Sequence, residues 1–257
     1  MLEIKNIKKI YNPGEITEMT LFNGFSLNVD EGEFLSVVGS NGSGKTSLLN
    51  IICGSIPVEG GKISIDGKDI TKDPEYKRYR YIGRVYQNPS LGSCPNLTIE
   101  ENMSLAGNKG KRFGISPGVV KSKHLYYRSL LEPLGLGLED KMDVRVGLLS
   151  GGQRQALSLI MATMTPIKFL ILDEHTAALD PKTAETIMEL TDRIVKQKHL
   201  TAIMVTHNLR YAVDYGSRMI MMHKGDIVLD RYGAEKEKTQ VKDLLALFNS
   251  ISIECGN

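Results

Sequence analysis

The sequence predicts an α/β fold with a parallel central sheet, and two kinds of segment predict it. Short, almost continuously apolar runs at residues 34–38, 169–172 and 202–205 have the composition of parallel strands covered on both faces. Amphipathic stretches at residues 45–52, 181–196 and 241–248 lie between and after them with helical spacing, the alternation that defines the class.

Taken from the N-terminus, the first segments have a different pattern. Leu2-Glu3-Ile4-Lys5-Asn6-Ile7 and Phe25-Ser26-Leu27-Asn28-Val29 alternate apolar and polar residues, as half-buried strands of a small antiparallel layer do. The apolar strand at 34–38 then runs into a glycine-rich turn and the helix at 45–52. Between residues 89 and 164 the strand signals fade. Thr98-Ile99-Glu100-Glu101 opens a helix by a capping box, and residues 153–164 read as another helix, so this middle third is an inserted helical lobe. Residues 108–117, rich in Gly and basic side chains, read as a loop within it. The segment 109–127 as a whole, and the tail after residue 248, give no clear signal. There is no internal repeat or low-complexity tract.

Composition bounds the partners. The chain has 257 residues, long enough for a sizeable core, and Lys plus Arg number 32 against 30 for Asp plus Glu. That near balance offers no polybasic field, so no nucleic-acid partner is expected. Cys53, Cys94 and Cys255 lack the close spacing of a metal knuckle or redox pair, which points to a reducing, cytoplasmic compartment. The first residues do not resemble a signal peptide, and no segment reaches the roughly 18 apolar residues of a membrane span. If the protein serves a membrane, another chain supplies the bilayer part.

Gly39-Ser40-Asn41-Gly42-Ser43-Gly44-Lys45-Thr46 fits the P-loop pattern and lies between an apolar strand and an apolar-faced helix. Its glycines let the backbone wrap phosphates, with N–H groups pointing inward at a helix N-terminus. Lys45 supplies charge for the β- and γ-phosphates, and the Thr46 hydroxyl suits Mg²⁺. The loop alone does not separate a kinase, a GTPase and an ATPase. Phe169-Leu170-Ile171-Leu172-Asp173-Glu174 is an apolar strand ending in two carboxylates, where α/β sheets bind their ligands. Asp173 is the candidate Mg²⁺ ligand. Glu174 is the candidate general base, provided the chain turns there, because successive strand residues face opposite ways. His207 follows the strand at 202–205, where it can hold an attacking water, although a lone histidine there is commonly structural. His124, His175, His199 and His223 have no comparable setting.

Leu149-Ser150-Gly151-Gly152-Gln153 resembles the signature motif of ABC ATPases. On chemistry alone, Ser150 and two glycines open a helix whose free N–H groups suit an anion. The resemblance covers the chain from residue 2 to about 248. It implies the ABC ATPase variant of the P-loop NTPase fold, with ATP and Mg²⁺ as ligands. One domain is expected over residues 1–257. Residues 1–88 and 165–230 would form the RecA-like core with its antiparallel β-subdomain, 89–164 the helical signature subdomain, and 231–257 a C-terminal helix and tail.

The resemblance also implies a head-to-tail dimer with two ATP molecules sandwiched between copies, Ser150, Gly151, Gly152 and Gln153 of one facing the nucleotide of the other. Tyr11 is similar to the aromatic that stacks on adenine, and Gln87 to the glutamine that senses Mg²⁺ and the permease. His207 resembles the switch histidine, and Asp180 in Leu179-Asp180 the dimer-contacting loop.

One position departs from the family. His175 stands where most members have Pro after the catalytic Glu, and losing proline's fixed φ is expected to loosen that turn. Together with Asn12-Pro13-Gly14 and Met204-Val205-Thr206-His207-Asn208, it resembles a subgroup that works with a separate permease and an extracellular binding protein, some members being linked to aromatic amino acids. The expectation is an importer ATPase on the inner face of the membrane. The alternatives are an exporter or lipoprotein-release ATPase, or a soluble ABC ATPase such as the iron–sulfur assembly type.

Overall fold

The computed structural model describes residues 1–111 and 118–254. In chain order the first elements are β1 (Leu2–Tyr11), β2 (Met19–Val29), β3 (Phe34–Gly39), α1 (Lys45–Cys53), β4 (Gly60–Ile65), β5 (Lys68–Asp69) and α2 (Glu75–Arg78). Next come β6 (Ile82–Val85), α3 (Ile99–Gly107), α4 (His124–Leu131), α5 (Gly151–Thr163), β7 (Phe169–Asp173) and α6 (Pro181–Gln197). The last are β8 (Thr201–Val205), α7 (Leu209–Asp214), β9 (Arg218–His223), β10 (Asp226–Tyr232), α8 (Gly233–Lys238) and α9 (Val241–Glu254). They fall into two compact units, Met1–Arg78 with His199–Asn257, and Tyr79–Lys198.

In the first unit β2, β1, β4 and β5 form the expected antiparallel layer. Leu2 and Ile4 face the core by simple alternation, and Ile7 joins them three residues on, which a strict two-residue period forbids. Asn6, at φ +50°, absorbs the extra residue as a bulge, seen as a register shift between Ile4 and Ile7 against β2 and between Lys5 and Lys8 against β4. A second sheet runs β8 and β9 parallel to the central β3, with β10 antiparallel to β9. Every residue of β3 and β8 is buried, as their apolar runs require. The helix at the end of the chain continues to Glu254, beyond the predicted limit at 248, and packs Leu244, Leu247 and Phe248 against Val38, Met219 and Met221.

In the second unit β6 and β7 pair in parallel, Val85 opposite Leu172. The helical lobe holds α3, α4 and α5. Thr98 and Glu101 form the full capping box at the start of α3. Buried Asn102 ties the preceding loop to that helix, accepting from Cys94 N and donating to Cys94 O, Leu97 O and Thr98 O. In the predicted loop at 108–117, residues 108–111 are turn and bend, and the remainder lies outside the described residues. Among the described residues no helix is long and apolar enough to cross a membrane.

Candidate functional site

The P-loop hangs between β3 and α1 in the first unit. Gly39 is confined by its surroundings, since a Cβ there would fall 2.3 Å from Met222 O and 2.7 Å from Ser43 Oγ. Gly44 is the N-cap of α1 at φ +102°, a conformation open to glycine, and it offers no side chain to cap the helix. The first-turn amides of α1 therefore have no partner inside their own helix and no cap from Gly44, the arrangement that receives phosphate. Lys45 is buried, its ammonium donating to Gly39 O at 2.8 Å and Ser40 O at 2.9 Å, so its charge lies across the loop's mouth. Thr46 is exposed.

The support of this loop includes a residue that sequence reasoning missed. Buried Arg78 donates to Ile51 O at 2.8 Å and Ile52 O at 3.0 Å, satisfying carbonyls at the end of α1. Tyr11 ends β1, and its hydroxyl bonds Ser47 Oγ of α1 at 3.0 Å, which fixes the ring beside the helix that carries the loop. The β3 and β8 register pairs Val37 with Val205, so Gly39 and His207 each lie two residues past a paired position at the same carboxyl edge. His207 is exposed there.

The second unit holds the other predicted residues. At the end of β7 the chain does turn, as Glu174 requires. Its φ is +47°, uncommon for a residue with a side chain, and its carbonyl accepts from Ala177 N at 3.0 Å. The expectation of a looser turn at His175 is corrected here, because the side chain is an anchor. His175 is 2 % exposed, and its Nε2 lies 3.1 Å from Thr191 Oγ1 of α6. Thr191 donates its single hydroxyl proton to Ile187 O at 2.7 Å, so its oxygen accepts from His175 and the Nε2–H tautomer is fixed. Burial pushes the imidazole down to about 4, which keeps it neutral at physiological pH.

Asp173 has a partner too. Arg84 of β6 donates from Nη2 to Asp173 Oδ2 at 2.7 Å, with only 6 % and 12 % of the two side chains exposed. Gln87 lies just past β6 and is exposed. Asp180 caps α6 by accepting from Thr183 N at 3.1 Å, and bonds from Thr183 hold its carboxyl below the usual range.

The signature segment forms a capping box of its own. Gln153 N donates to Ser150 Oγ at 3.3 Å, and Ser150 N to Gln153 Oε1 at 3.2 Å. One helix-tip amide is thus occupied by the cap, while those of Gly151 and Gly152 have no partner within the helix. Gly152 lets this tip approach α6, since a Cβ there would meet Thr183 Cγ2 at 2.3 Å.

Among the described residues no group of three or more His, Cys, Asp or Glu forms a metal cage. A cation held by one carboxylate, one hydroxyl and phosphate oxygens needs no such cage, and that donor set suits Mg²⁺.

The family model described as "ABC transporter" matches residues 22–177. A tyrosine transport ATP-binding protein of Clostridioides difficile is 50% identical over 96% of this chain and 98% of its own length. A spermidine/putrescine import ATP-binding protein of Haemophilus influenzae is 32% identical over 90% of the chain and 57% of its own length. Among solved structures, a dimeric ATP-binding cassette in a post-hydrolysis state, bound to ADP and Pi, superposes with a TM-score of 0.76. It is 30% identical over 90% of this chain and 98% of that one. The chain belongs to the ABC transporter family, as an ATP-binding and ATP-hydrolysing cassette of α/β fold.

Proposed function

We propose that this ATPase energises the import of amino acids, aromatic ones included, through a separate permease. The observation that carries it is the 50% identity, over nearly the whole of both chains, to a tyrosine transport ATP-binding protein. Half-identity along full length is a similarity of the whole subunit, beyond the shared nucleotide motifs.

Each residue has a proposed task. Residues Gly39, Ser40, Asn41, Gly42, Ser43 and Gly44 wrap the triphosphate with their backbone, Lys45 neutralises the β- and γ-phosphates, and Tyr11 stacks on adenine. Thr46, Gln87 and Asp173 hold Mg²⁺, which supplies neutralisation of developing charge on the phosphates when bound. Glu174 accepts the proton of the attacking water and His207 holds that water in place. Ser150, Gly151, Gly152 and Gln153 of a second copy close over the γ-phosphate, and Asp180 contacts that copy. Two ATP molecules then join two chains head to tail.

A groove of about 380 Å³ in the second unit, lined by Tyr79, Arg84, Tyr86, Leu91, Leu105 and Lys109, is the proposed seat of a permease loop. Leu91 is 69% exposed and Leu105 44%, an apolar rim beside Gln87 that a cytoplasmic loop can cover. The chain would work at the inner face of the membrane, held there by the permease and served by an extracellular binding protein.

The test is uptake of labelled tyrosine and other amino acids by vesicles holding the chain with its co-purifying permease. Uptake that requires ATP and stops with Glu174→Gln supports import. ATP-driven efflux, or failure to recover any membrane chain, overturns it.

A further inference from the structure

Arg84 is the one residue of Ile82-Gly83-Arg84-Val85 that carries charge, and it sits in a strand otherwise suited to burial. Its place follows from register. In the parallel pair Arg84 stands opposite Ile171, and Asp173 lies two residues farther along β7 on the same face. A long side chain spans that diagonal, and Arg84 Nη2 reaches Asp173 Oδ2 at 2.7 Å. The guanidinium carbon also lies 4.6 Å from the centre of the Tyr86 ring. Tyr86 is held in turn, its hydroxyl 2.9 Å from that of Tyr79 and its carbonyl accepting from Gln155 of α5 at 3.1 Å. A continuous set of contacts thus leads from the helix behind the signature tip, through Tyr86, to the carboxylate of Asp173.

We propose that Arg84 is a positioning residue that sets the affinity of Asp173 for its metal, by holding Oδ2 and neutralising the carboxylate from the Tyr86 side. This presupposes the proposed role of Asp173 as a Mg²⁺ ligand. A carboxylate already paired with a guanidinium attracts a divalent cation less than a bare one, so metal binding leans on the phosphates that arrive with the nucleotide. Because Tyr86 both packs the guanidinium and lines the groove beside Leu91, displacement of Tyr86 alters the same pairing.

The experiment is Mn²⁺ binding to the full-length, ADP-loaded chain, followed by electron paramagnetic resonance, which needs no turnover. Arg84→Gln keeps a polar side chain at the position and removes the charge; Mn²⁺ should bind roughly tenfold more tightly. Arg84→Lys keeps the charge and should bind within about twofold of wild type. Tyr86→Leu should tighten binding by a smaller factor, and Tyr86→Phe, which keeps the ring, should restore the wild-type value. Asp173→Asn should weaken binding. Wild-type or weaker binding in Arg84→Gln, with Asp173→Asn still impaired, overturns the role of Arg84 alone. Wild-type binding in Asp173→Asn overturns the metal assignment itself and this inference with it.

Discussion

The phosphate loop of the first unit and the carboxylate turn of the second reach unusual backbone shapes by opposite means. The loop is built from main chain: Gly44 takes φ +102° without penalty, and Gly39 leaves room for Met222 O. The turn is built from side chains, with Glu174 at φ +47° despite its Cβ, a strain on the order of 1–2 kcal/mol. Neighbours hold it there, His175 bonded to Thr191 and Asp173 to Arg84. Substitutions should therefore injure the loop by crowding and the turn by removing distant partners.

The largest effect is expected at Gly39→Ala. The new Cβ meets a backbone carbonyl that cannot swing aside, and overpacking of this kind costs about 2–3 kcal/mol. ATP affinity measured by calorimetry should fall about 100-fold. Wild-type affinity would show that the loop is more pliable than its crowding implies.

Thr191→Val comes next, as a change far from the phosphates in sequence. It leaves His175 N–H buried without an acceptor, which should cost about 2 kcal/mol in denaturant unfolding. ATP binding should stay within about twofold of wild type, because the loop does not depend on this bond. A comparable loss of binding would erase the contrast between the two turns.

The smallest effect is a pH dependence. His175 is depressed to about 4, against about 6.5 when unfolded, so the native state binds fewer protons between those values. Stability is fully present above pH 6.5 and is lost as pH falls toward 4. From pH 7.5 to 5.5 wild type should lose about 1.4 kcal/mol more than His175→Gln, whose amide can still donate to Thr191. Equal losses would place the titrating group elsewhere.

The same contrast explains what could be read from the residues in order. The strand, glycine loop and helix around Gly39 to Thr46 were legible because their requirement is local and falls on residue types without side chains. The capping box of Thr98 with Glu101 and the helix start at Ser150 were equally local, and both form. The buried runs that end in Val205 and Asp173 followed from continuous apolarity. Partners far along the chain left no such mark. Arg84 reads as a stray charge in a strand until register brings it to Asp173, 89 positions away. His175 reads as a lost proline until α6 brings Thr191 beside it. The strand Arg218–His223 has no motif beside it to mark its apolar run, and the bulge at Asn6 hides in a pattern that otherwise alternates.

The central claim is that the nucleotide is enclosed only when a second copy lays its Ser150 helix tip over the triphosphate. It is tested most directly by light scattering on Glu174→Gln, with and without ATP and Mg²⁺. The account predicts dimers that form only with ATP and persist, with hydrolysis below about one hundredth of the wild-type rate. A variant that stays monomeric with ATP, even beside its membrane partner, or that hydrolyses at the wild-type rate, contradicts it.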